Sequence, residues 1–294
     1  MTDLSIVRQQ RQAPAPDNFS FVQGEFQITV VSDGYITVPI DIVAPEGTPE
    51  ERNNILMKTG DLSAGLVKSK TNIPVIRRGR DIILVDIGSG DKYQPSDGLL
   101  SANLSASGID ANAVTKVVFT HAHPDHVWGT LTADGSLRFP NATYYVGAAE
   151  WNFWMDPDYR NNMPSVLHEF AEGAQRDLGA IRDRVVMLAP GDDIVTGLRA
   201  LDTAGHTPGH ISLEMAGGTG LIISADAATN EIASFAHPGA RFGYDTIPDL
   251  AIRNRTRLIE RAATDRIKLL GYHWTYPGVG FAERKGNGYR YVPA

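Results

Sequence analysis

The stretch THAHPDHVWG, residues 120–129, constrains this chain more than any other. It follows the apolar run Val117-Val118-Phe119 and brings His121, His123, Asp125 and His126 into six residues. An apolar run of this kind reads as a buried strand, and burying four polar side chains behind it is unfavourable unless they share a partner. In an extended or tightly turned segment His121 and His123 point to the same side. Pro124 then bends the chain before Asp125 and His126. Neutral imidazole and carboxylate suit Zn²⁺, at about 2.0–2.2 Å. So nitrogen-rich a set disfavours Mg²⁺ or Ca²⁺. The competing reading is a histidine-rich surface loop, and the density of ligand-type residues behind a buried strand argues against it.

Three other apolar runs end in the same way. LRALDTAGH leads to His206, LIISAD to Asp226 and IKLLGYH to His273. The pattern predicts that these strand ends meet the histidine turn at one edge of the sheets. The chain has no cysteine, which excludes disulfides, thiolate metal sites and cysteine nucleophiles. It also lacks a GxSxG nucleophile elbow. The net charge is −7, with no Lys/Arg-rich run, a poor match to phosphate-backbone binding. A small-molecule substrate is expected, with no nucleic acid and no membrane partner.

Residues 1–18 are polar and Pro/Gln-rich and are read as an extended arm without a core of its own. Residues 19–294 then form one domain, with no repeat or linker. FQITVVSDGYITVPI alternates about Asp33-Gly34, which predicts a hairpin there. Thr48 caps a helix that Pro49 and two glutamates begin. Two strands flank Arg78-Gly79, and the all-apolar second one is expected to be central. PSDGLLSANLSASGID, residues 148–180 and DLAIRNRTRLIERAATD read as helical. Strands interleaved with helices give an α/β (α+β) class. No segment has the apolar length of a signal peptide or a transmembrane helix, so the expected location is the cytoplasm.

HxHxDH, a distant GHTPGH, then Asp and then His resembles the metallo-β-lactamase superfamily, over residues 121 to 273. The resemblance implies an αββα sandwich with a dinuclear metal site at one edge. By position it implies that His121, His123 and His206 hold one divalent ion. Asp125, His126 and His273 would hold the second, and Asp226 would bridge both. Zinc is the expected metal, with manganese, cobalt or iron as alternatives. Asp125 and Asp226 are the expected catalytic carboxylates, with Asp226 placed to accept a proton from water. Flavodiiron proteins resemble this pattern but carry Glu where this chain has His123, and a di-iron redox module needs an electron partner.

FVQGEFQITVVSDGYITVPI and YPGVGFAERKGNGYRYVPA resemble the ends of methyl parathion hydrolase and its relatives, a group that overlaps with quorum-quenching lactonases. The implied reaction is hydrolysis of a lactone or ester, with aryl phosphotriester hydrolysis as the alternative. The arm and this resemblance are compatible with a homodimer. Phe153 and Trp154 match an aromatic pair that lines the hydrolase pocket, and ordinary core packing is the competing reading. Lactonases carry a tyrosine shortly after the bridging aspartate. Here Ala227, Ala228 and Thr229 follow, and the nearest comparable group is Tyr276. His168 is expected to be structural. His210 is read either as orienting a ligand or as structural, and Asp86 as support beneath the metals.

Overall fold

The computed structural model describes residues 18–294. The predicted arm, apart from Asn18, therefore lies outside the described residues. The first sheet contains β1 (Phe19–Gln23), β2 (Phe26–Pro39), β3 (Gly60–Asp61), β4 (Leu66–Arg78), β5 (Asp81–Val85), β6 (Lys116–Phe119), β7 (Thr143–Gly147) and β8 (Val185–Leu188). The second contains β9 (Asp193–Val195), β10 (Leu198–Asp202), β11 (Ile211–Met215), β12 (Leu221–Ile223), β13 (Lys268–Leu270), β14 (Val279–Lys285) and β15 (Gly288–Pro293). In the first sheet β5, β6, β7 and β8 pair in parallel. In the second, β12 and β13 form the parallel pair.

The central strands β5, β6 and β12 carry unbroken apolar runs because both of their faces are covered. Ile83, Val85 and Val118 of the first sheet pack between the sheets with Leu213, Leu221, Ile223 and Leu270 of the second. On the outer face of the first sheet, Leu84, Val117 and Phe119 meet Leu104 and Leu178 from helices Leu100–Ala106 and His168–Ala180. Outside the second sheet, Ile222 and Leu269 meet Leu258, Ile259 and Ala262 of helix Pro248–Asp265. Four layers result, helix–sheet–sheet–helix, as the sequence resemblance implied. Among the described residues no helix is long and apolar enough to cross a membrane.

The expected helix start at Thr48 is present as a full capping box. The Thr48 side chain accepts from the Glu51 backbone, and the Glu51 carboxylate accepts from the Thr48 backbone. The expected hairpin at Asp33-Gly34 is absent. β2 runs through both residues with a register shift beside β4, and the β1–β2 hairpin turns at Gly24 instead. The cause is the Asp33 side chain, which is buried and accepts from the Leu100 and Ser89 backbones at 2.6 and 3.3 Å. Gly34, at φ +109°, presses on the Ser96 carbonyl, where a Cβ would fall 2.2 Å from the oxygen. This Asp-Gly pair therefore makes a bulge, not a turn. The helical stretch 148–180 is broken into Ala148–Trp154, Tyr159–Asn162 and His168–Ala180, with Pro157 and Pro164 in the breaks.

Candidate metal centre and its cavity

Four strands deliver the polar cluster from their C-terminal ends. The turn after β6 carries His121, His123, Asp125 and His126. His206 follows β10, Asp226 follows β12 and His273 follows β13. β6 lies in the first sheet and the other three in the second, so the groups converge at the sandwich edge. All seven side chains are buried.

The atoms face one another at ligand spacing. His123 Nδ1 is 3.0 Å from both His121 Nε2 and His206 Nε2. His273 Nε2 lies 3.3 Å from Asp125 Oδ2 and 3.2 Å from Asp226 Oδ2. His126 Nε2 lies 3.6 Å from Asp125 Oδ2 and 3.5 Å from Asp226 Oδ1, and His206 Nε2 lies 3.3 Å from Asp226 Oδ2. Bonds of about 2.0–2.2 Å in a tetrahedron put neighbouring ligand atoms about 3.3–3.6 Å apart. Three sets could each hold an ion: His121, His123 and His206; His121, His126 and Asp226; and Asp125, His126 and His273.

Hydrogen bonding alone leaves this cluster incomplete. One Nδ1 of His123 cannot serve two imidazole nitrogens at once. Asp125 Oδ2, His126 Nε2 and Asp226 Oδ1 are buried with no hydrogen-bond partner. Buried polar atoms are rarely left so, and orphans converging on one point fit a cation.

The electrostatics divide the cluster. Burial, reinforced by the neighbouring histidines, holds His121 and His123 well below the ordinary imidazole range and keeps them neutral. Burial opposes charge on His126 too, but Asp125, Asp226 and Asp86 outweigh it and push it up to about 9. Burial would raise the Asp226 carboxyl, yet His273 and His126 hold it well below the usual carboxylate range.

Buried partners fix the ring orientations. His126 Nδ1 is 2.8 Å from Asp86 Oδ2, and Asp86 also accepts from the Thr120 backbone and hydroxyl at 2.8 and 2.7 Å. His273 Nδ1 is 2.8 Å from the Lys70 carbonyl. His206 Nδ1 is 3.1 Å from Asp245, which also pairs with the buried Arg255. His210 Nε2 accepts from the Asp226 backbone at 3.1 Å and so holds that loop. Asp86, read as support beneath the metals, thus bonds the His126 ring, while His210, read as orienting a ligand or as structural, bonds the Asp226 backbone and no clustered side chain. His168, expected to be structural, begins its helix, and its ring Nε2 lies 3.1 Å from the Met163 carbonyl. Sequence reasoning missed Asp245 and the buried Glu150, because neither carries a local motif.

A cavity of about 500 Å³ opens over His123, Asp125, His206, Asp226 and His273. Its walls are mostly apolar and include Ile36, Val38, Tyr93, Leu167, Phe170 and Phe242. A larger cleft of about 1040 Å³, bordered by Glu51, His237 and Arg290, holds none of the clustered side chains.

The three expected substrate residues lie elsewhere. Trp154 is fully buried, and its indole donates to Glu150 at 2.6 Å, so it packs beside the His123 ring from the core side. Phe153 is partly buried against the same core. The Tyr276 hydroxyl donates to the Val30 carbonyl and accepts from the Phe19 backbone, both at 2.9 Å, which directs it toward β1 and β2. None of the three lines the cavity. Phe153 and Trp154 sit on a helix whose inner face is core, a distinction that residue type alone does not carry.

Known proteins carry the same frame. The AttM N-acyl homoserine lactonase of Agrobacterium fabrum is 31% identical over 137 residues, which cover 42% of this chain and 45% of that protein. The chain thus spans about half the length of that curated relative. AidC, a dizinc quorum-quenching lactonase solved with a product, superposes with a TM-score of 0.86 at 26% identity, covering 94% of this chain and 97% of that one. AbOPH, a hydrolase in the β-lactamase superfamily, matches with the same TM-score and coverage at 28% identity. The model of the metallo-β-lactamase superfamily matches residues 68–270, which take in six of the seven clustered side chains and end three residues before His273. The chain belongs to the metallo-β-lactamase superfamily.

Proposed function

We propose that this protein is a two-metal hydrolase that opens the ring of N-acyl homoserine lactones. The observation that carries the reading is a floor of clustered His and Asp side chains beneath an apolar cavity of about 500 Å³. The similarity to AttM and AidC supports the substrate class. His121, His123 and His206 would hold one ion, and Asp125, His126 and His273 the other. Asp226 stands between the two groups, within reach of His206 and His273. The nitrogen-rich set suits zinc.

Two ions bound there would supply a Lewis acid and lower the pKa of a shared water from about 15.7 toward 7. Asp226 Oδ1, buried with no hydrogen-bond partner, is the atom of this chain that would accept the proton such a water gives up. Asp125 supplies charge to one side of the site. The walls exclude water and bind the acyl chain, at about 0.8 kcal/mol per buried methylene.

The test is kcat/KM for metal-loaded protein on acyl homoserine lactones, simple aryl esters and methyl parathion-type triesters, with a chelated control. Lactone turnover should dominate and vanish on chelation. Dominant triester turnover would overturn the substrate. Iron with visible charge-transfer absorbance and no hydrolysis at all would overturn the reaction.

A further inference from the structure

Glu150 is completely buried, and none of its hydrogen bonds goes to the seven clustered side chains. Its carboxylate accepts four hydrogen bonds from three segments. Oε1 takes the Ala122 backbone N–H at 2.9 Å and the Trp154 indole at 2.6 Å. Oε2 takes the Thr207 hydroxyl at 2.7 Å and the Gly209 backbone N–H at 3.0 Å. Ala122 lies between His121 and His123, and Thr207 follows His206. One carboxylate therefore clasps the two loops that carry His121, His123 and His206. The fit is close: a Cβ at Gly209 would fall 2.0 Å from the Glu150 backbone nitrogen. On the other side of the cluster, Asp86 fixes His126 and the Lys70 carbonyl fixes His273. Glu150 reaches neither.

We propose that Glu150 is a positioning residue for one of the two metal ions, the one facing His121, His123 and His206, and that it acts far less on the other ion, whose rings are fixed by Asp86 and the Lys70 carbonyl. This rests on the two-metal reading above. A carboxylate accepts at both oxygens, so it satisfies donors from both loops at once. A glutamine at the same place can accept at one oxygen only. Its amide would face the Gly209 N–H donor and push the His206 loop away. Outer partners of this type typically change metal affinity by about 10–100-fold.

The experiment is metal titration of the full-length protein, with bound zinc counted by mass spectrometry and thermal stability of the chelated form measured in parallel. Wild type should bind two ions. Glu150→Gln should keep one at near wild-type affinity and bind the second about 10–100-fold more weakly. Thr207→Val, which removes only the hydroxyl donor, should weaken the same ion by less. Trp154→Phe, which removes the indole donor but neither loop tie, should keep both ions while lowering stability. This separates positioning from general packing. Two ions at wild-type affinity in Glu150→Gln would overturn the proposal, as would equal weakening of both ions. If Glu150→Gln fails to fold, two ions at wild-type affinity in Thr207→Val would overturn it instead. Fewer than two ions in wild type would overturn the two-metal reading rather than the role of Glu150.

Discussion

At the floor of the cavity, four of the five histidines tie their outward ring nitrogen to a partner: Thr120, Asp86, Asp245 and the Lys70 carbonyl. At the walls, Val38, Leu167 and Phe170 are held by packing alone. The difference follows from what each region does. Ligand atoms must be held to within tenths of an ångström, which takes directional bonds in a dry setting. An apolar wall need only exclude water and present area, so many side chains would serve. Substitutions at the floor should therefore act on metal content and rate, and those at the walls on binding and chain-length preference.

The sharpest test of the floor is Asp226→Asn. The aspartate is surrounded by His126, His206 and His273 at 3.2–3.5 Å. Losing its charge removes the group common to both halves of the cluster. Metal content and turnover should fall together, by more than the ~10–100-fold of an outer-partner change. Zinc analysis beside lactone turnover measures both. A variant with two ions and full rate would end the assignment of Asp226.

Trp154 tests where the wall begins. It is fully buried and bonded to Glu150, so Trp154→Ala should lower stability by about 3–5 kcal/mol. KM for the substrate should change little in protein that remains folded. Denaturant unfolding and a KM series separate the two. A large KM change at unaltered stability would return Trp154 to the pocket.

The same contrast explains what the sequence discloses. The clustering at the floor was legible because His and Asp side chains recur at strand ends in short motifs, as in residues 121–126 and 206–210. The sandwich was legible from apolar runs that both faces of a sheet require, as in β5 and β12. Asp33-Gly34 misled because the residue pair that makes a tight turn also makes a bulge when the aspartate is buried. Glu150 and Asp245 were silent because a buried carboxylate looks like any other until its donors arrive from distant segments. Phe170 and Phe242 line the cavity while Phe153 and Trp154 do not, since aromatic residues pack equally well in a core.

Behind the floor, Asp33 makes the contrast pH-dependent. Burial pushes its carboxyl from 3.8 up to about 7, with the Leu100 backbone bond opposing and Asp97 adding to the rise. The folded state thus keeps a proton that the unfolded chain releases, so this group's contribution to stability is present below pH 3.8 and is lost as pH rises toward about 7. Asp97, also raised to about 7 by burial, adds to the same loss. Asp33→Asn keeps a neutral acceptor for Leu100 and removes one share of the loss. Melting of chelated protein between pH ~4 and ~7 should show a shallower decline in the variant. Parallel curves would assign the pH dependence elsewhere.

The smallest effect belongs at the rim. Val166 lines the cavity and is 75% exposed, so it has little packing to lose. Val166→Asp should leave stability within about 0.5 kcal/mol and leave metal content unchanged. Its effect should appear only with acyl chains long enough to reach the rim. In wild type, each methylene that the wall buries should raise kcat/KM by about fourfold, from about 0.8 kcal/mol per group. In the variant that rise should stop one or two methylenes sooner, with kcat unaltered, because a carboxylate at the rim keeps water beside the end of the chain. A chain-length series on both proteins reads this directly. Equal slopes over the whole series would mean that the acyl chain leaves the cavity by another side, and that Val166 borders solvent rather than substrate.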